Sequence, residues 1–105
     1  MINSLRTRWD ASESALGTFV FSRDPDTTEL IGQAGLDFAI IDMEHAPLGI
    51  TEVSGHLRAA KAAGISALVR LPGPDQSLMG KLLDAGADGL LLPHFGKDEI
   101  GRAHV

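Results

Sequence analysis

The chain has 105 residues, enough for one domain with a modest hydrophobic core, and 44% of them are hydrophobic and 22% charged. Nine basic against 14 acidic residues give a net charge of −5 without a basic cluster, so we expect neither nucleic acid nor a membrane as a partner. The absence of cysteine excludes thiolate and zinc–thiolate chemistry, and the lack of a membrane-length apolar run or a signal-peptide core predicts a cytoplasmic protein.

The first elements in chain order are a short helix, a strand and a second helix. Residues 3–14 are expected to form a helix whose Leu5 and Trp9 cover one end of the core. The apolar run GTFVF over residues 17–21 predicts a strand. Asp24-Pro25 is typical of a helix start, with an acidic N-cap and proline in the first turn.

One design then occurs three times along the chain, as AGLDFAII, AGISALVR and AGADGLLL. Each copy predicts the end of a helix at a glycine, followed by a strand. The glycines suit the left-handed conformation that ends many helices, and they are Gly35, Gly64 and Gly86. The apolar run after each glycine has no polar alternation, which predicts strands buried on both faces of a parallel sheet.

Two further helices are predicted between these strands. Thr51 is expected to cap the first of them, and Asp75 the second. The residues expected to face the core are Val53, Leu57, Ala60 and Ala63 in the first helix and Leu78, Met79, Leu82 and Leu83 in the second. The closing segment KDEIGRAHV is interpreted as a last helix.

The alternation of strands and helices predicts an α/β fold of one of two kinds. It is typical of an open doubly wound sheet and of a (β/α)8 barrel. A complete barrel takes about 250 residues, so the four β–α units of this chain would supply half of one.

Polar and ionisable residues follow the predicted strands at their carboxyl ends, where both architectures place their working sites. They are Ser22 after the first strand, Asp42, Glu44 and His45 after the second, Arg70 after the third and His94 after the fourth. We therefore expect a site at this edge of the sheet.

Asp42, His45 and Arg70 are the strongest candidates within that set. The Asp42 carboxylate could hold one nitrogen of the His45 imidazole and leave the other to move a proton, or the pair could be a capping acid and a surface histidine. Arg70, at the end of an apolar strand, could bind a substrate carboxylate or an enolate oxygen. It could equally form an internal ion pair with Asp42 or Glu44, and the two roles are compatible.

For the other candidate residues, more than one interpretation is open. Glu44 could be a metal ligand, an acid that supports other ligands or a partner for Arg70. His94 could belong to the site or only pack against Phe95, and His56 is interpreted as part of a solvated helix face. Signatures for nucleotide loops, zinc proteases and serine hydrolases are absent from the sequence.

Three stretches together resemble a known family. They are DFAIIDMEHAPLG, ALVRLPG and KLLDAGADGLLLPH, in this order and at this spacing, and they are similar to the start of the HpcH/HpaI aldolases. These are class II pyruvate aldolases that depend on a divalent metal. The resemblance runs from about Leu16 to the last residue.

The resemblance implies a (β/α)8 TIM barrel that cleaves 4-hydroxy-2-oxo acids to pyruvate and an aldehyde. It implies Mg²⁺, Mn²⁺ or Co²⁺ as the cofactor that holds the pyruvate enolate. The family's His–Asp base falls on His45 and Asp42, and its arginine that steadies the enolate and binds the keto acid falls on Arg70. The family's metal ligands, a Glu and an Asp, come from later strands and are expected beyond Val105, which leaves Glu44 as a weak metal candidate here.

Residues 1–105 are accordingly predicted to be the N-terminal half of an aldolase or citrate lyase type barrel, with about its first four β–α units. The function predicted for the complete fold is that of a carbon–carbon lyase acting on small 2-oxo acids. The alternative is a non-catalytic half barrel or assembly module, because open first and fourth strands favour pairing with another chain. A homo-oligomer is expected in either case.

Overall fold

The computed structural model describes residues 13–93 together with Thr7, Asp10 and Ala11. Its elements are β1 (Gly17–Val20), α1 (Pro25–Gln33), β2 (Phe38–Asp42), α2 (Ile50–Ala63), β3 (Ser66–Arg70), α3 (Gln76–Asp84) and β4 (Gly89–Leu91). Most of the helix predicted over residues 3–14, with Leu5 and Trp9, and the whole closing helix lie outside the described residues. No helix in the described part of the chain is long and apolar enough to span a bilayer.

The four strands form one parallel sheet in the order β1-β2-β3-β4. Right-handed crossovers between sequential parallel strands place all connecting helices on the same face. A doubly wound sheet would instead reverse its strand order and carry helices on both faces. The structure therefore confirms the prediction of an α/β fold built as half of a (β/α)8 barrel.

The two faces of the sheet differ in how they are covered. Residues on the face toward the helices are almost fully buried, and they are Val20, Ala39, Ile41, Ala67 and Val69. On the other face Phe19 lies in register with Ile40 and Leu68, and Phe19 is 41% exposed. The prediction that the strands are buried on both faces thus holds fully only for the face toward the helices, because Ile40 and Leu68 on the other face are half-buried in the described part of the chain.

Helix starts follow the predicted capping chemistry in two of three cases. The Asp24 carboxylate accepts the Asp26 N–H at 3.0 Å, and the Asp75 carboxylate accepts the Leu78 N–H at 3.0 Å. The prediction for Thr51 is wrong, because α2 already begins at Ile50 and its N-cap is Gly49. There the Glu52 side chain accepts the Gly49 N–H at 2.7 Å.

The repeated design ends each helix as predicted and also ties neighbouring strands together. Gly35, Gly64 and Gly86 have φ values of 94°, 77° and 109°. The acid two residues after the first and third glycines adds a function that the sequence did not reveal. Asp37 accepts the Leu16 N–H at 2.9 Å, and Asp88 accepts the Ala67 N–H at 2.8 Å. These bonds fix the amino ends of β1 and β3 in register with their neighbours.

The core-facing sides of α2 and α3 are mostly those predicted. Val53, Leu57 and Ala60 are buried in α2, with Ala63 at the margin, and Leu82 is buried in α3. Leu78 and Met79 pack against this core from one side. Leu83 is 53% exposed, so its predicted inward position is wrong.

Gly32 sets how closely α1 approaches the end of α2. A Cβ atom at Gly32 would lie 2.6 Å from the Cβ of Ala63, and that atom is fixed to the backbone. Gly80, inside α3, has open space where its Cβ would lie. The two glycines thus form a matched pair of helix positions that differ in packing.

We expect Gly32→Ala to lower the free energy of unfolding by about 1–2 kcal/mol, because overpacking outweighs the helix propensity gained. Gly80→Ala should raise it by about 0.5–1 kcal/mol, since only the propensity changes. Urea denaturation at neutral pH measures both values. A Gly32→Ala variant as stable as Gly80→Ala would contradict the close packing of α1 on α2.

Candidate active site

The polar residues after β2 and β3 meet at the carboxyl edge of the sheet. Asp42 and Arg70 are the last residues of their strands and stand opposite each other in the parallel register. The Met43 N–H donates to the Arg70 carbonyl at 2.9 Å, which extends the pairing one step past the strands. The two side chains therefore share the face of the sheet that the helices leave open.

Arg70 and Asp42 form a bidentate ion pair. Nε of Arg70 donates to Oδ1 of Asp42 at 3.1 Å, and Nη2 donates to Oδ2 at 2.6 Å. Asp42 is fully buried, whereas the Arg70 side chain is 23% exposed. This is the internal ion pair that the sequence left open for Arg70. Neither Asp42 oxygen lacks a donor.

Backbone donors complete the environment of the Asp42 carboxylate. The N–H groups of Glu44 and His45 donate to Oδ1 at 2.8 and 3.2 Å. Burial alone would raise the pKa of Asp42, but the hydrogen bonds from Arg70 and from these two N–H groups outweigh it and hold the pKa below its ordinary value. The same pair raises the pKa of Arg70, chiefly through its hydrogen bond to Asp42.

Glu44 and His45 lie on the loop between β2 and α2. Ala46 and Leu48 anchor this loop in the core, while the His45 side chain is 64% exposed. Oε1 of Glu44 is 3.4 Å from Nε of Arg70 and 3.4 Å from Nε2 of His45. Glu44 thus bridges the guanidinium and the imidazole.

The geometry corrects the predicted contact between Asp42 and His45. Asp42 accepts the backbone N–H of His45, and the imidazole instead faces Glu44. The reason is the strand register, which places Arg70 directly opposite Asp42, where it binds both carboxylate oxygens. The His45 side chain, on the loop that follows, is 64% exposed and lies 3.4 Å from Oε1 of Glu44.

An aromatic surface supports the guanidinium from one side. Cζ of Arg70 lies 4.5 Å from the centroid of the Phe19 ring, close enough for a cation–π interaction. The Phe21 ring stacks on Phe19 with centroids 6.2 Å apart and an interplanar angle of 8°. Sequence reasoning missed Phe19, although the period-two alternation places it on the same face as Arg70.

The ion pairs leave one edge of the guanidinium available. Within the described residues, Nε and Nη2 of Arg70 carry its contacts to Asp42 and Glu44, and Nη1 takes part in none of them. Asp42, Glu44 and the Phe19 ring fix the plane of the group. Arg70 can therefore donate hydrogen bonds to a planar anion at the carboxyl edge of the sheet while its ion pair with Asp42 stays intact.

The remaining candidates fall into three classes. His94 lies outside the described residues, so its predicted role stays a prediction. The Ser22 hydroxyl accepts the Asp24 N–H at 3.0 Å and so serves its own loop. His56 was interpreted as solvated, which is wrong, because it is 0% exposed. Its position three residues after Val53 and one before Leu57 places it on the buried face of α2, and this spacing was the missed signal.

The donors at this edge do not make up a complete metal site. No group of three His, Cys, Asp or Glu side chains within the described residues is arranged to hold a cation. Both Asp42 oxygens are engaged by Arg70 and backbone N–H groups, so Asp42 is a poor ligand. Glu44 remains a weak candidate for a metal ligand. A hard divalent cation generally needs more oxygen ligands than one carboxylate supplies.

We expect the Asp42–Arg70 pair to make stability sensitive to acid. A carboxylate whose folded-state pKa is lowered contributes stability that is complete above its ordinary value of 3.8 and is lost as the pH falls below it. An Asp42→Asn variant should therefore be less stable than the wild type near neutral pH and lose less stability on acidification to about pH 3. Urea denaturation across this pH range measures the difference.

The salt dependence provides the control for that experiment. Since Asp42 is buried, the difference between wild type and Asp42→Asn should persist in about 0.5 M NaCl, where exposed ion pairs are largely screened. Equal acid sensitivity of the two proteins would contradict the assignment of a buried, ionised Asp42.

Comparison with known proteins gives one consistent result. Residues 15–100 match the sequence model of the family described as HpcH/HpaI aldolase/citrate lyase. A 2-dehydro-3,6-dideoxy-6-sulfogluconate aldolase from Pseudomonas putida is 33% identical over 90 residues, covering 86% of this chain and 35% of that protein. A hydroxypyruvate/pyruvate aldolase from Roseovarius nubinhibens is 34% identical over 100 residues, covering 95% of this chain and 39% of that protein.

A solved structure agrees with these relatives. The crystal structure of an HpcH/HpaI aldolase from Desulfitobacterium hafniense superimposes with a TM-score of 0.86 at 36% identity, covering 96% of this chain and 39% of that one. The chain spans about two fifths of the length of the curated relatives that it matches.

Proposed function

The chain belongs to the HpcH/HpaI aldolase/citrate lyase family, and on that premise we propose that the protein that carries it is a carbon–carbon lyase. The proposed reaction is cleavage of 4-hydroxy-2-oxo acids to pyruvate and an aldehyde. Relatives named as aldolases of sugar-acid and hydroxypyruvate substrates support this reaction class. Because the chain spans about two fifths of such relatives, the activity is proposed for the complete protein.

The observation that carries the proposal is the fixed orientation of Arg70. Its guanidinium is held by Asp42 on one edge and by the Phe19 ring on one face, with Nη1 directed to no described partner. We assign this free edge to the carboxylate and enolate oxygens of the 2-oxo acid. An arginine held in place before the substrate binds stabilises the charge that develops when the enolate forms.

His45 is proposed to move the proton. Cleavage removes the proton from the C4 hydroxyl, breaks the C3–C4 bond to release the aldehyde, and leaves the electron pair in the pyruvate enolate, which is then protonated at C3. An exposed imidazole at the edge of the site suits the first proton transfer. Asp42 is proposed to orient Arg70, and Glu44 to orient the His45 ring.

Aldolases of this family generally depend on a divalent metal. When bound, such a cation acts as a Lewis acid toward the oxygens of the 2-oxo acid. We propose Mg²⁺, Mn²⁺ or Co²⁺ as the cofactor of the complete protein, with ligands other than the engaged Asp42.

The test is release of pyruvate from a panel of 4-hydroxy-2-oxo acids of differing chain length by the complete protein. Each substrate is assayed with Mg²⁺, Mn²⁺ or Co²⁺ and again after treatment with a chelator. The matched control is the corresponding 2-oxo acid without the 4-hydroxyl group, which has no proton to transfer and should not be cleaved. Failure to release pyruvate from every member of the panel with each metal would contradict the proposed lyase.

A second candidate function is that of an assembly module, and the open sheet face favours it. Phe19 and Phe21 are exposed on this face, and β1 and β4 are edge strands of the described sheet. Exposed apolar surface next to an unpaired strand edge favours association with another copy. A homo-oligomer is accordingly part of this proposal.

We expect the 105-residue chain by itself to sediment as a species larger than a monomer. Phe19→Lys should shift it toward the monomer, because a charge on the open face opposes association. Leu30→Lys is the matched control, since Leu30 is also apolar and is 61% exposed, against 41% for Phe19, but lies on α1. Sedimentation velocity measures all three proteins, and a folded monomer for the unmodified chain would contradict the module.

A further inference from the structure

His56 is a fully buried histidine that the proposed chemistry does not use. It lies on α2 and is 0% exposed, as is Thr28 on α1. Nδ1 of His56 is 2.7 Å from the Thr28 hydroxyl, and Nε2 is 2.7 Å from the carbonyl oxygen of Ser22. The imidazole thus joins two helices to the loop that follows β1.

These partners determine which ring nitrogen carries hydrogen. A carbonyl oxygen only accepts hydrogen bonds, so Nε2 of His56 must donate to Ser22. In the neutral ring Nδ1 is then an acceptor, and the Thr28 hydroxyl donates to it. Both nitrogens are satisfied, which fixes the position of the ring and, through it, the Ser22 carbonyl.

Among the described residues, the other hydrogen bonds of the loop that His56 binds are short-range in sequence. The Ser22 hydroxyl accepts the Asp24 N–H, and the Asp24 carboxylate accepts the Asp26 N–H at the start of α1. The bond from His56 spans 34 positions in sequence and ties this loop to α2. Without it, the Ser22 carbonyl would lose its buried donor.

This loop lies next to the candidate active site. Ser22 follows Phe21, whose ring stacks on Phe19, and the Arg70 guanidinium lies over the Phe19 ring. A displacement of the Ser22 carbonyl would move Phe21 and, through the stacked rings, the surface against which Arg70 is oriented. Enzymes lose rate when a reacting group shifts even slightly from its productive position.

We propose that His56 is a positioning residue that fixes the β1–α1 loop and thereby the Phe21–Phe19 stack beneath Arg70. Its catalytic consequence rests on the proposed function, whereas its effect on the orientation of Arg70 does not. Loss of the His56 bonds should displace the guanidinium and weaken substrate binding more than it slows proton transfer. The expected signature is a raised KM with a smaller change in kcat.

The test compares three variants in the complete protein. His56→Leu removes both hydrogen bonds and replaces the imidazole with an apolar side chain of similar volume. His56→Gln keeps a donor for the Ser22 carbonyl and an acceptor for the Thr28 hydroxyl. Leu57→Ala is the control, because Leu57 is the next residue of α2 and lies in the core without contacting the loop through a hydrogen bond.

The main readout is independent of activity. The Nε–H signal of Arg70 in a ¹H–¹⁵N spectrum, identified by its absence in Arg70→Lys, reports the position of the guanidinium over the Phe19 ring. We expect His56→Leu to shift this signal and to raise KM about fivefold, which is the size of effect expected when one hydrogen bond between Arg70 and the substrate is lost. His56→Gln should restore both values toward those of the wild type, while Leu57→Ala lowers Tm without moving the signal.

Two results would overturn the proposal. One is an unshifted Arg70 signal in folded His56→Leu, and the other is a shift of the same size in Leu57→Ala. If His56→Leu does not fold, Thr28→Val provides the same comparison, because it removes the hydroxyl that holds the ring and should move the Arg70 signal in the same direction. A wild type without lyase activity would contradict the proposed function, while the Arg70 signal would still decide the role of His56.

Discussion

Replacing Arg70 by lysine is expected to lower kcat/KM of the complete protein by about a hundred- to a thousandfold, as for the loss of one fixed donor to a developing oxyanion. The charge is kept in this variant, so the loss tests the shape of the group. The guanidinium uses Nε and Nη2 for Asp42, and in the proposed mechanism Nη1 binds the substrate. A lysine ammonium is a single compact donor group and cannot hold both partners in the same geometry.

The control for this substitution is Arg58→Lys. Arg58 is an exposed arginine on α2 that makes none of the contacts of the candidate site, so the same chemical change there should leave kcat/KM unaltered. Arg70→Met adds a second comparison, because it also removes the charge and leaves the buried Asp42 carboxylate without its cation. Wild-type activity in Arg70→Lys would remove the fixed guanidinium from the mechanism.

The elements of the fold could be predicted because their signals are local. Asp24 and Asp75 cap their helices through their own side chains, and glycines with positive φ end the helices where the repeated design places them. Thr51 and Leu83 show where local signals fail. Gly49 is instead the N-cap of α2, with its N–H bound by the Glu52 side chain. Leu83 is 53% exposed, because apolar character alone does not determine which side of α3 a residue occupies.

The site was predictable in its position but only partly in its contacts. That polar residues collect at the carboxyl ends follows from the parallel order of the strands, and so does the pairing of Arg70 with Asp42. The contact of His45 with Glu44 depends on the turn after β2, which spacing alone does not determine. Phe19 and His56 were missed because their partners lie far away in sequence and on other elements.

Aspartate side chains make different contacts at the two ends of the strands. At the amino ends, Asp37 and Asp88 accept backbone N–H groups of neighbouring strands and hold the register. At the carboxyl ends, Asp42 binds Arg70 through Nε and Nη2, and Nη1 takes part in none of the contacts within the described residues. The same residue type thus holds neighbouring strands together at one end and, at the other, holds the arginine that we propose binds the substrate. The repeated acid of the helix–strand design could therefore not be separated from the site acid by residue type alone.

His45→Gln is expected to lower kcat by about a hundredfold or more with little change in KM, since a positioned acid–base group contributes at least this much to the rate. Glutamine keeps the size and polarity of the side chain but cannot take up a proton. Because His45 is 64% exposed, the substitution should leave Tm unchanged, and kcat then reports chemistry alone. Unchanged kcat in this variant would exclude His45 as the proton carrier.

A double-mutant cycle identifies which carboxylate assists the imidazole. Oε1 of Glu44 lies 3.4 Å from Nε2 of His45, whereas Asp42 contacts only the backbone of His45. Glu44→Gln should therefore lower kcat in the wild type and lose most of that effect in the His45→Gln background, because groups that act as a unit are not additive. Asp42→Asn should lower kcat/KM in both backgrounds, since it acts through Arg70. The opposite pattern, with Asp42→Asn silent once His45 is replaced, would show that the Asp42–His45 pair predicted from the sequence forms during the reaction.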